Sequence, residues 1–380
     1  MDKENKQYRS DNTNTGLRKK GPAGKILRFL LSMFLLAAIL FAGLLEYLTL
    51  TEYRPQEREH VAVSPWPGDP IYPGISLKVM TWNCGYGALG DNADFFMDGG
   101  KSVMTADRER VRNNLAGIEQ TAAQLQPDVC FLQEVDRNST RSHHIDELIE
   151  INNTLMEDYE LDYIPAFAYN FDVEFVPFPI PPIGKVRSGI MTLTDISIGS
   201  AERIQLPCPF KWPVRLGNLK RCLLITRTPV RESEKELVLI NLHLEAFDDG
   251  EGKIAQTKAL RDILNEEAAK GNYVIAGGDF NQTFNNTDIS AYPQQEGKWQ
   301  PGTIDTEEFG DDWQCLMDSD VPTCRSLDQP YAGADHDTFQ YYVIDGFIVS
   351  SNIEVKSCET RDIGFVQTDH NPVLMECVLK

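Results

Sequence analysis

Basic residues are scarce in this sequence and unevenly placed. Its 380 residues include 36 Lys and Arg against 57 Asp and Glu, a formal net charge of −21 at pH 7. The first 50 residues hold eight basic and four acidic residues, so the rest of the chain carries a net charge of −25. Such an acidic body is poorly suited to following a nucleic-acid backbone by counterion release, although bound divalent cations can reverse the field locally. Because 42% of the residues are apolar, the chain can bury a sizeable core.

Closely spaced cysteine pairs are missing, and so are internal repeats. No two cysteines form a C-x-x-C pair, which disfavours a zinc site. Cys84 and Cys130 lie in or beside apolar runs and are predicted to be buried thiols. Two pairs could form disulfides if the domain lies outside the cell, although spacing does not decide the pairing. These pairs are Cys208 with Cys222 and Cys315 with Cys324.

One long apolar run lies near the N-terminus. Residues 1–25 are a polar, basic tail, and residues 26–50 are long and apolar enough to cross a bilayer. The basic residues before this segment predict a single-pass protein of the cell membrane, with a cytoplasmic N-terminus and everything after residue 50 outside. The alternative is a cleaved signal peptide and secretion, but no clear A-x-A cleavage site is present, which favours a retained anchor. Residues 51–75, rich in proline, are predicted to be a stiff linker, and residues 76–380 the main folded domain.

The most informative stretch of that domain is Tyr273–Phe284. It begins as a buried strand, breaks at two glycines, and then presents Asp279 and Asn281 two residues apart. In extended backbone such residues point the same way, so a carboxylate and a carboxamide face one spot. An acid that can activate water, beside an amide that can donate to a phosphate oxygen, is a plausible hydrolytic pair. Asp, Asn and Gly also form ordinary turns, so this stretch alone does not decide the function.

Several other apolar strands deliver a polar residue at one end. Six such strand ends in one domain are too many for the ordinary capping of strands. Beside Asp279 and Asn281, the residues concerned are Asn83, Glu134, His243, Asp345, Asp369 and His370. Strands and helices mix along the chain, and some strand pairs are joined by short turns. The pattern predicts two packed sheets with outer helices rather than a purely parallel sheet.

The chain contains, in this order, the motifs TWN, LQEV, NLHLEAF, GGDFN, IDGF and TDHNPV. With them it resembles a membrane-anchored, bacterial-type member of the endonuclease/exonuclease/phosphatase superfamily. That superfamily includes DNase I-like nucleases, neutral sphingomyelinases and inositol polyphosphate phosphatases. The resemblance covers residues 77–380. It implies an α/β fold, a four-layer α/β/β/α sandwich of two packed mixed sheets flanked by helices, here preceded by one transmembrane helix. It also implies a metal-dependent phosphoric ester hydrolase that uses one or two Mg²⁺ ions, with Mn²⁺ as a second candidate.

The resemblance assigns roles to the residues at the strand ends. Glu134 is similar to the principal metal ligand, with Asn83 beside it and Asp369 as a further carboxylate on the metal side. Of the other residues, Asp279 matches the group that orients or deprotonates the attacking water. Asn281 matches a donor to the phosphate. His370 matches the histidine that contacts the scissile phosphate and is paired with Asp345, and His243 matches a second phosphate-stabilising histidine. Carboxylates and amides suit Mg²⁺, which agrees with this assignment.

Three functions compete for the substrate. The preferred one is an extracytoplasmic phosphoesterase that hydrolyses a phosphodiester or phosphomonoester of a lipid head group or another small molecule. The second is a cell-surface nuclease acting on DNA or RNA, favoured by a basic cluster between residues 185 and 221. The third is a non-catalytic binding module on the same fold, which is disfavoured because no motif residue is lost. No protein partner is predicted.

Two local features bear on these alternatives. The segment Pro165–Gly184 combines aromatic residues with several prolines, and we expect an irregular loop that either packs on its own domain or contacts an apolar substrate or membrane. The triplet Asp335–Asp337, with His336 at its centre, is interpreted as structural rather than as a metal site.

Overall fold

The computed structural model describes residues 22–64, 68–248 and 250–380, and the chain divides into two compact units, Met1–Leu50 and Thr51–Lys380. Most of the predicted basic tail, 1–25, therefore lies outside the described residues. The helices are α1 (Pro22–Leu50), α2 (Arg108–Leu125), α3 (Glu147–Tyr159) and α4 (Glu251–Ala269).

The helix α1 is the described part of the first unit. It begins at a proline, a residue that suits the first helical position because its missing N–H has no partner there. Between Ala23 and Leu50 it is long and apolar enough to cross a membrane, a property that a signal sequence shares. It is the only such helix among the described residues.

The second unit is built mainly from strands. In chain order they are β1 (Arg58–His60), β2 (Ser76–Asn83), β3 (Val129–Asp136), β4 (Ile164–Val176), β5 (Gly184–Thr194), β6 (Ser200–Gln205), β7 (Cys222–Pro229), β8 (Glu236–His243), β9 (Tyr273–Asp279), β10 (Gln282–Phe284), β11 (Gly302–Ile304), β12 (Trp313–Leu316), β13 (Cys324–Arg325), β14 (Tyr341–Tyr342), β15 (Asp345–Ser350), β16 (Ile353–Thr360) and β17 (Val373–Leu379).

These strands form two large mixed sheets. The first has the order β1-β6-β7-β8-β9-β15-β12, and the second has the order β16-β17-β2-β3-β5-β4. Within each sheet one central pair is parallel, β8 with β9 and β2 with β3, while the other pairs are antiparallel. Two small ribbons, β10-β11 and β13-β14, lie outside the large sheets.

Three apolar clusters hold the layers together. Phe131 and Met375 of the second sheet pack with Leu239 and Phe347 of the first, which makes the core between the sheets. A second cluster joins helices α2 and α3 to the outer face of the second sheet, and a third joins α4 to the outer face of the first. The predicted four-layer α/β/β/α sandwich is confirmed.

The segment predicted as an irregular loop, 165–184, is a strand for most of its length. β4 continues to Val176, and the loop occupies only 177–183. Pro165 is accommodated because β4 is an edge strand, where a missing N–H leaves no ladder bond unmade on the open side. The remaining prolines of the segment all follow the strand, so the prediction extended their effect too far back.

The range predicted as a linker, 51–75, is in part attached to the sandwich. β1 adds an antiparallel edge strand to the first sheet by pairing with β6. Val61 and Ile71 are buried, and residues 65–67 lie outside the described part of the chain. This stretch therefore packs against the folded unit at several points instead of standing free of it.

Candidate active site

Three neighbouring strands of the first sheet bring polar side chains to one edge. β9 is paired on both sides, so that Asp279 lies opposite His243 of β8 and opposite Asp345 of β15. All three side chains are buried. A central strand therefore holds an acid between a histidine and a second acid, with the ladder on both sides fixing their positions.

Gly278 makes this arrangement possible. Its φ is +154°, and a Cβ built there would lie 1.9 Å from the carbonyl oxygen of Leu242 on β8. Neither the backbone conformation nor the space admits a side chain. The glycine before the aspartate thus lets β9 approach β8 closely at the point where His243 and Asp279 meet.

We expect the substitution Gly278→Ala to destabilise the second unit by about 3 kcal/mol or more, because backbone strain adds to a steric overlap. Thermal unfolding followed by circular dichroism measures the loss. The matched control is Gly297→Ala, at φ +80° with open space around the new methyl group, for which about 1 kcal/mol is expected. Equal losses in the two variants would contradict this reading of Gly278.

In the second sheet a β-bulge aims Glu134 at the same edge. The pairing of β3 with β5 shifts between Leu132 and Val135, and Glu134 has a positive φ of 53°. Such a bulge turns a side chain and leaves ladder carbonyls without partners. Asn241, on β8 of the other sheet, donates its Nδ2 to the carbonyls of Leu132 (3.3 Å) and Met191 (2.8 Å). The buried amide of Asn241 in the first sheet thus provides hydrogen bonds to carbonyls beside the bulge that positions Glu134 in the second sheet.

Asn83, at the end of β2, joins the two sets of residues. Its Nδ2 donates to Glu134 Oε1 at 3.3 Å and to Asp279 Oδ2 at 3.1 Å, while its Oδ1 accepts from the backbone N–H of Gly85. Asn281 follows Asp279 in a left-handed conformation; its N–H donates to Asp279 Oδ1 at 2.8 Å, and its Nδ2 donates to a backbone carbonyl.

The two histidines of the cleft differ in protonation. His370 places Nδ1 2.9 Å from Asp345 Oδ2 and Nε2 3.9 Å from Asp279 Oδ2. Burial opposes its charge, but the Asp345 carboxylate raises the pKa of His370 well above its usual range. For His243, burial and the nearby positive charge of Arg221 lower the pKa well below its usual range. The site therefore holds one cationic and one neutral imidazole, both within 4 Å of Asp279.

Asp279 lies between these imidazoles. Burial and the negative charge of Asp345 raise the pKa of Asp279 to about 7, against the opposing effect of His370. A carboxylate that exchanges its proton near neutral pH is suited to act as a general base. His243 Nε2 lies 3.4 Å from its Oδ2, and His243 Nδ1 is buried with no hydrogen-bond partner.

The donors around Glu134 fit a hard divalent cation. Burial raises the pKa of Glu134, and the nearby Asp369 raises it further, against the opposing effect of Arg141. Asp369 also approaches His370 and Cys324, with their ligand atoms within 4.8 Å of one another. Crowded carboxylates that repel one another, together with an amide, form a set of oxygen donors that Mg²⁺ would stabilise. The structure brings all eight residues named from the sequence together: five line one cleft, and Asn83, His370 and Asp345 lie directly behind them. Their individual roles stay predictions.

Comparison with known proteins places this geometry in a family. A model of the endonuclease/exonuclease/phosphatase family matches residues 80–370. The chain belongs to this family. It is a hydrolase of phosphoesters, as predicted from the motifs. No curated protein matches the sequence significantly.

Solved structures of the family share the fold at low sequence identity. An endonuclease/exonuclease/phosphatase from Beutenbergia cavernae is 17% identical with a TM-score of 0.53, covering 80% of this chain and 72% of that one. A family protein from Leptotrichia buccalis is 16% identical with a TM-score of 0.51, covering 79% of this chain and 98% of that one. At this identity the likeness concerns the fold alone.

The cleft of this phosphoesterase has a polar floor and a largely apolar wall. It encloses about 210 Å³. Glu134, His243, Asp279, Asn281 and Asp369 lie on the floor. The wall includes Phe95, Met97, Val103, Phe171, Ile183, Leu219, Phe247 and Trp299. A few polar groups beneath an apolar wall are the usual composition of a small-molecule site.

Sequence reasoning missed several residues of this cleft. Cys324 reaches it through a bridge between β13 and His370, and Asp98 reaches it from the long loop after β2. Burial and the charges of Asp369 and Glu134 raise the pKa of Asp98 to about 7. Arg141 lies with its guanidinium 3.6 Å above the ring of Tyr86 and pairs with Asp136 behind the site. Cys324, Asp98 and Arg141 lie outside the motifs that mark the other site residues, so no sequence pattern pointed to them.

The basic cluster that favoured a nuclease does not form an open groove. Six of its seven residues are paired with carboxylates, and Lys211 is exposed. The pairs are Lys185 with Glu174, Arg187 with Asp172, Arg203 with Glu59, Arg215 and Lys220 with Glu52, and Arg221 with Glu245. Most of these charges are thus neutralised within the fold, and Arg203 and Arg221 are buried.

Two further expectations concern cysteines and His336. All eight cysteines are free thiols in the structure, so neither candidate disulfide is present. Cys84 and Cys130 are buried, as expected. His336 stacks on Tyr331 with ring centroids 3.9 Å apart, which agrees with a structural role.

Proposed function

We propose that this protein is a membrane-anchored phosphoesterase that hydrolyses a phosphodiester or phosphomonoester outside the cell, with a lipid head group as its preferred substrate. One observation carries the hydrolytic part. Asp279, with a pKa of about 7, is held between a cationic and a neutral histidine on the floor of a cleft. This is an arrangement in which one group takes a proton from water while its neighbours face a phosphate.

Each residue has a task in this proposal. Asp279 accepts the proton of the attacking water, and the N–H of Asn281 and the amide of Asn83 hold its two carboxylate oxygens in place. His370, kept protonated by Asp345, donates to a non-bridging oxygen or to the leaving group. His243 stays neutral and donates through Nε2. The apolar wall excludes bulk water and strengthens these interactions.

Glu134, Asp369 and Asn83 would hold a divalent cation, with Mg²⁺ as the expected ion. When bound, this ion supplies charge relief to the non-bridging oxygens of the phosphate. The bulge at Glu134 directs the carboxylate into the cleft, and the nearby positive charge of Arg141 favours its ionised form.

Three features favour a lipid over a nucleic acid as substrate. The wall of the cleft is largely apolar, and two arginines that line the cleft, Arg141 and Arg221, are paired with Asp136 and Glu245. The cluster of Lys and Arg that a polynucleotide would need is largely paired within the fold. If the helix α1 spans the bilayer with its basic end inside, it tethers the second unit, Thr51–Lys380, to a lipid surface. We call this second unit the catalytic unit.

A substrate panel tests this proposal. The purified full-length protein is assayed with Mg²⁺ or EDTA against sphingomyelin, phosphatidylinositol phosphates, plasmid DNA, RNA and a chromogenic phosphodiester. We expect Mg²⁺-dependent hydrolysis of at least one lipid and of the chromogenic diester. Cleavage of DNA or RNA without any lipid hydrolysis would contradict the lipid substrate and support the nuclease alternative. Protease accessibility of the catalytic unit in intact cells tests its orientation.

The pH dependence of hydrolysis follows from Asp279. Below its pKa of about 7 the carboxyl is protonated and cannot accept a proton, so the rate should fall as the pH decreases. A bound cation favours the charged carboxylate and moves the midpoint of this acid limb lower. The raised pKa of His370 keeps this histidine protonated across the limb. Initial rates on the chromogenic diester check this, and a rate that rises from about pH 8 to about pH 5 would contradict it.

A further inference from the structure

Two neighbouring loops of the catalytic unit expose large apolar side chains. Phe178 and Ile180 lie on the loop 177–183, with 64% and 88% of their surface exposed. Trp212 and Val214 lie between β6 and β7, with 52% and 59% exposed. We call these four residues the apolar rim. Large apolar side chains exposed together on a folded protein mark an interaction site.

The two loops rise from one base, which is also part of the cleft. Ile183 ends the first loop, Leu219 follows the second, and both pack against the cluster that includes Phe171 and Val176. The N–H of Lys220 donates to the carbonyl of Asn170 on β4 at 2.6 Å. Ile183, Leu219 and Phe171 also line the cleft that holds Asp279. The apolar rim therefore borders the mouth of the candidate active site.

The chain enters the catalytic unit beside this rim. Glu52 is bound by Arg215 Nε at 3.0 Å and lies 3.6 Å from Lys220 Nζ, and these two residues flank the segment just after Val214. Leu50, the last residue of α1, precedes Glu52 by two positions.

We propose that the apolar rim inserts into the interface of the phospholipid bilayer that α1 crosses, so that the mouth of the cleft opens onto lipid head groups. This deepens the proposed function and rests on it. Aromatic and aliphatic side chains are the usual anchors at this depth, and the exposed Lys211 beside Trp212 suits the phosphates of the head groups. The prolines of the loop 177–183 hold it in a restricted set of conformations, which lowers the entropy lost on insertion.

Fluorescence quenching by brominated lipid tests insertion without any catalytic readout. The full-length protein is reconstituted into phosphatidylcholine vesicles with and without brominated acyl chains. The segment 22–50 holds no tryptophan, so α1 gives no signal of its own. We expect lipid-dependent quenching that is mostly lost in Trp212→Phe. Trp313→Phe, which removes a buried tryptophan, is the matched control and should keep the quenching. Equal quenching in the parent and Trp212→Phe overturns the proposal, and cross-linking of two chains through the rim in that case assigns the surface to a second copy.

A kinetic arm separates this proposal from the proposed function. The double variant Phe178→Ser/Ile180→Ser should hydrolyse bilayer phospholipid about tenfold more slowly, while its rate on a soluble chromogenic diester stays within about twofold of the parent. Ile149→Ser, which alters an exposed isoleucine of α3, should change neither rate. A parallel loss on both substrates would overturn the insertion of the loop. If the parent hydrolyses no lipid at all, the proposed substrate is wrong, and the quenching experiment still decides whether the rim enters the bilayer.

Discussion

Replacing Asp279 with asparagine is expected to lower kcat by about 10³-fold. Asparagine has nearly the same shape and can still accept from the N–H of Asn281, but it cannot take a proton from water. KM should change little, because the walls of the cleft are untouched. Steady-state rates on the chromogenic diester with Mg²⁺ measure the effect.

The same variant should be more stable than the parent at about pH 8. The folded-state pKa of Asp279, about 7, lies above the ordinary value of 3.8, so ionisation of this group disfavours the folded state as the pH rises between these values. A neutral amide removes that cost, and thermal unfolding in EDTA measures the gain. An inactive but stabilised variant separates loss of chemistry from loss of folding.

The control for Asp279 is Asp195→Asn. Burial and the nearby Asp128 raise the pKa of Asp195 to about 7 as well, but this residue does not line the cleft. It should be stabilised in the same way with kcat unchanged. If Asp279→Asn keeps more than about a tenth of the parent kcat, another group activates the water and the assignment is wrong.

Replacing Glu134 with glutamine is expected to have the second large effect. It removes the charge of the proposed principal oxygen donor, so kcat should fall by about 10³-fold and the Mg²⁺ concentration for half-maximal rate should rise by about tenfold or more. Binding of Mn²⁺, followed by electron paramagnetic resonance, gives a readout independent of activity. Glutamine retains the side-chain length that the bulge of β3 directs into the cleft.

The control for Glu134 is Glu245→Gln, which alters a carboxylate of the cleft wall that pairs with Arg221. Its Mn²⁺ affinity should match that of the parent. Unchanged Mn²⁺ affinity in Glu134→Gln would instead move the cation toward one of two other donor groups. These are Cys324 with Asp369 and His370, and Asp279 with Asp345 and His370.

The sandwich and the polar floor of the cleft were predictable because both follow from local pattern. Asn83, His243 and Asp279 stand at the ends of β2, β8 and β9, and strands of a sheet that run to one edge bring their ends together. Glu134 lies in the bulge of β3, and Asp369 lies in the loop before β17. Gly278 and Asp279 are a clear case, since the glycine that permits the close approach is itself visible in the motif. The four-layer arrangement came from the family resemblance, which the strand order bears out.

The rest of the site depends on long-range contacts that no local pattern carries. Cys324 comes from the short ribbon strand β13 and Asp98 from the long loop after β2, and their place beside Asp369 is set by tertiary packing. The prediction of an irregular loop over 165–184 was wrong for β4, because the prolines after residue 176 do not disturb the strand that precedes them. The basic cluster resembled a nucleic-acid-binding surface in the sequence because its carboxylate partners, such as Glu52, are distant in sequence.

The hydrogen bonds of Asn241 fix how the two sheets are aligned, and this alignment sets the relative positions of the candidate site residues. The amide of Asn241 accepts from Gln133 at 2.9 Å and donates to two carbonyls of the opposite sheet, and all of these groups are buried. One sheet cannot slide over the other without leaving several of them unpaired, which costs roughly 1–3 kcal/mol for each group. Glu134 belongs to one sheet and Asp279 to the other. The buried amide of Asn241 therefore fixes the alignment of the two sheets, and a redesign of the core with aliphatic residues could keep the fold while losing the relative placement of the proposed base, Asp279, and the proposed metal ligand, Glu134.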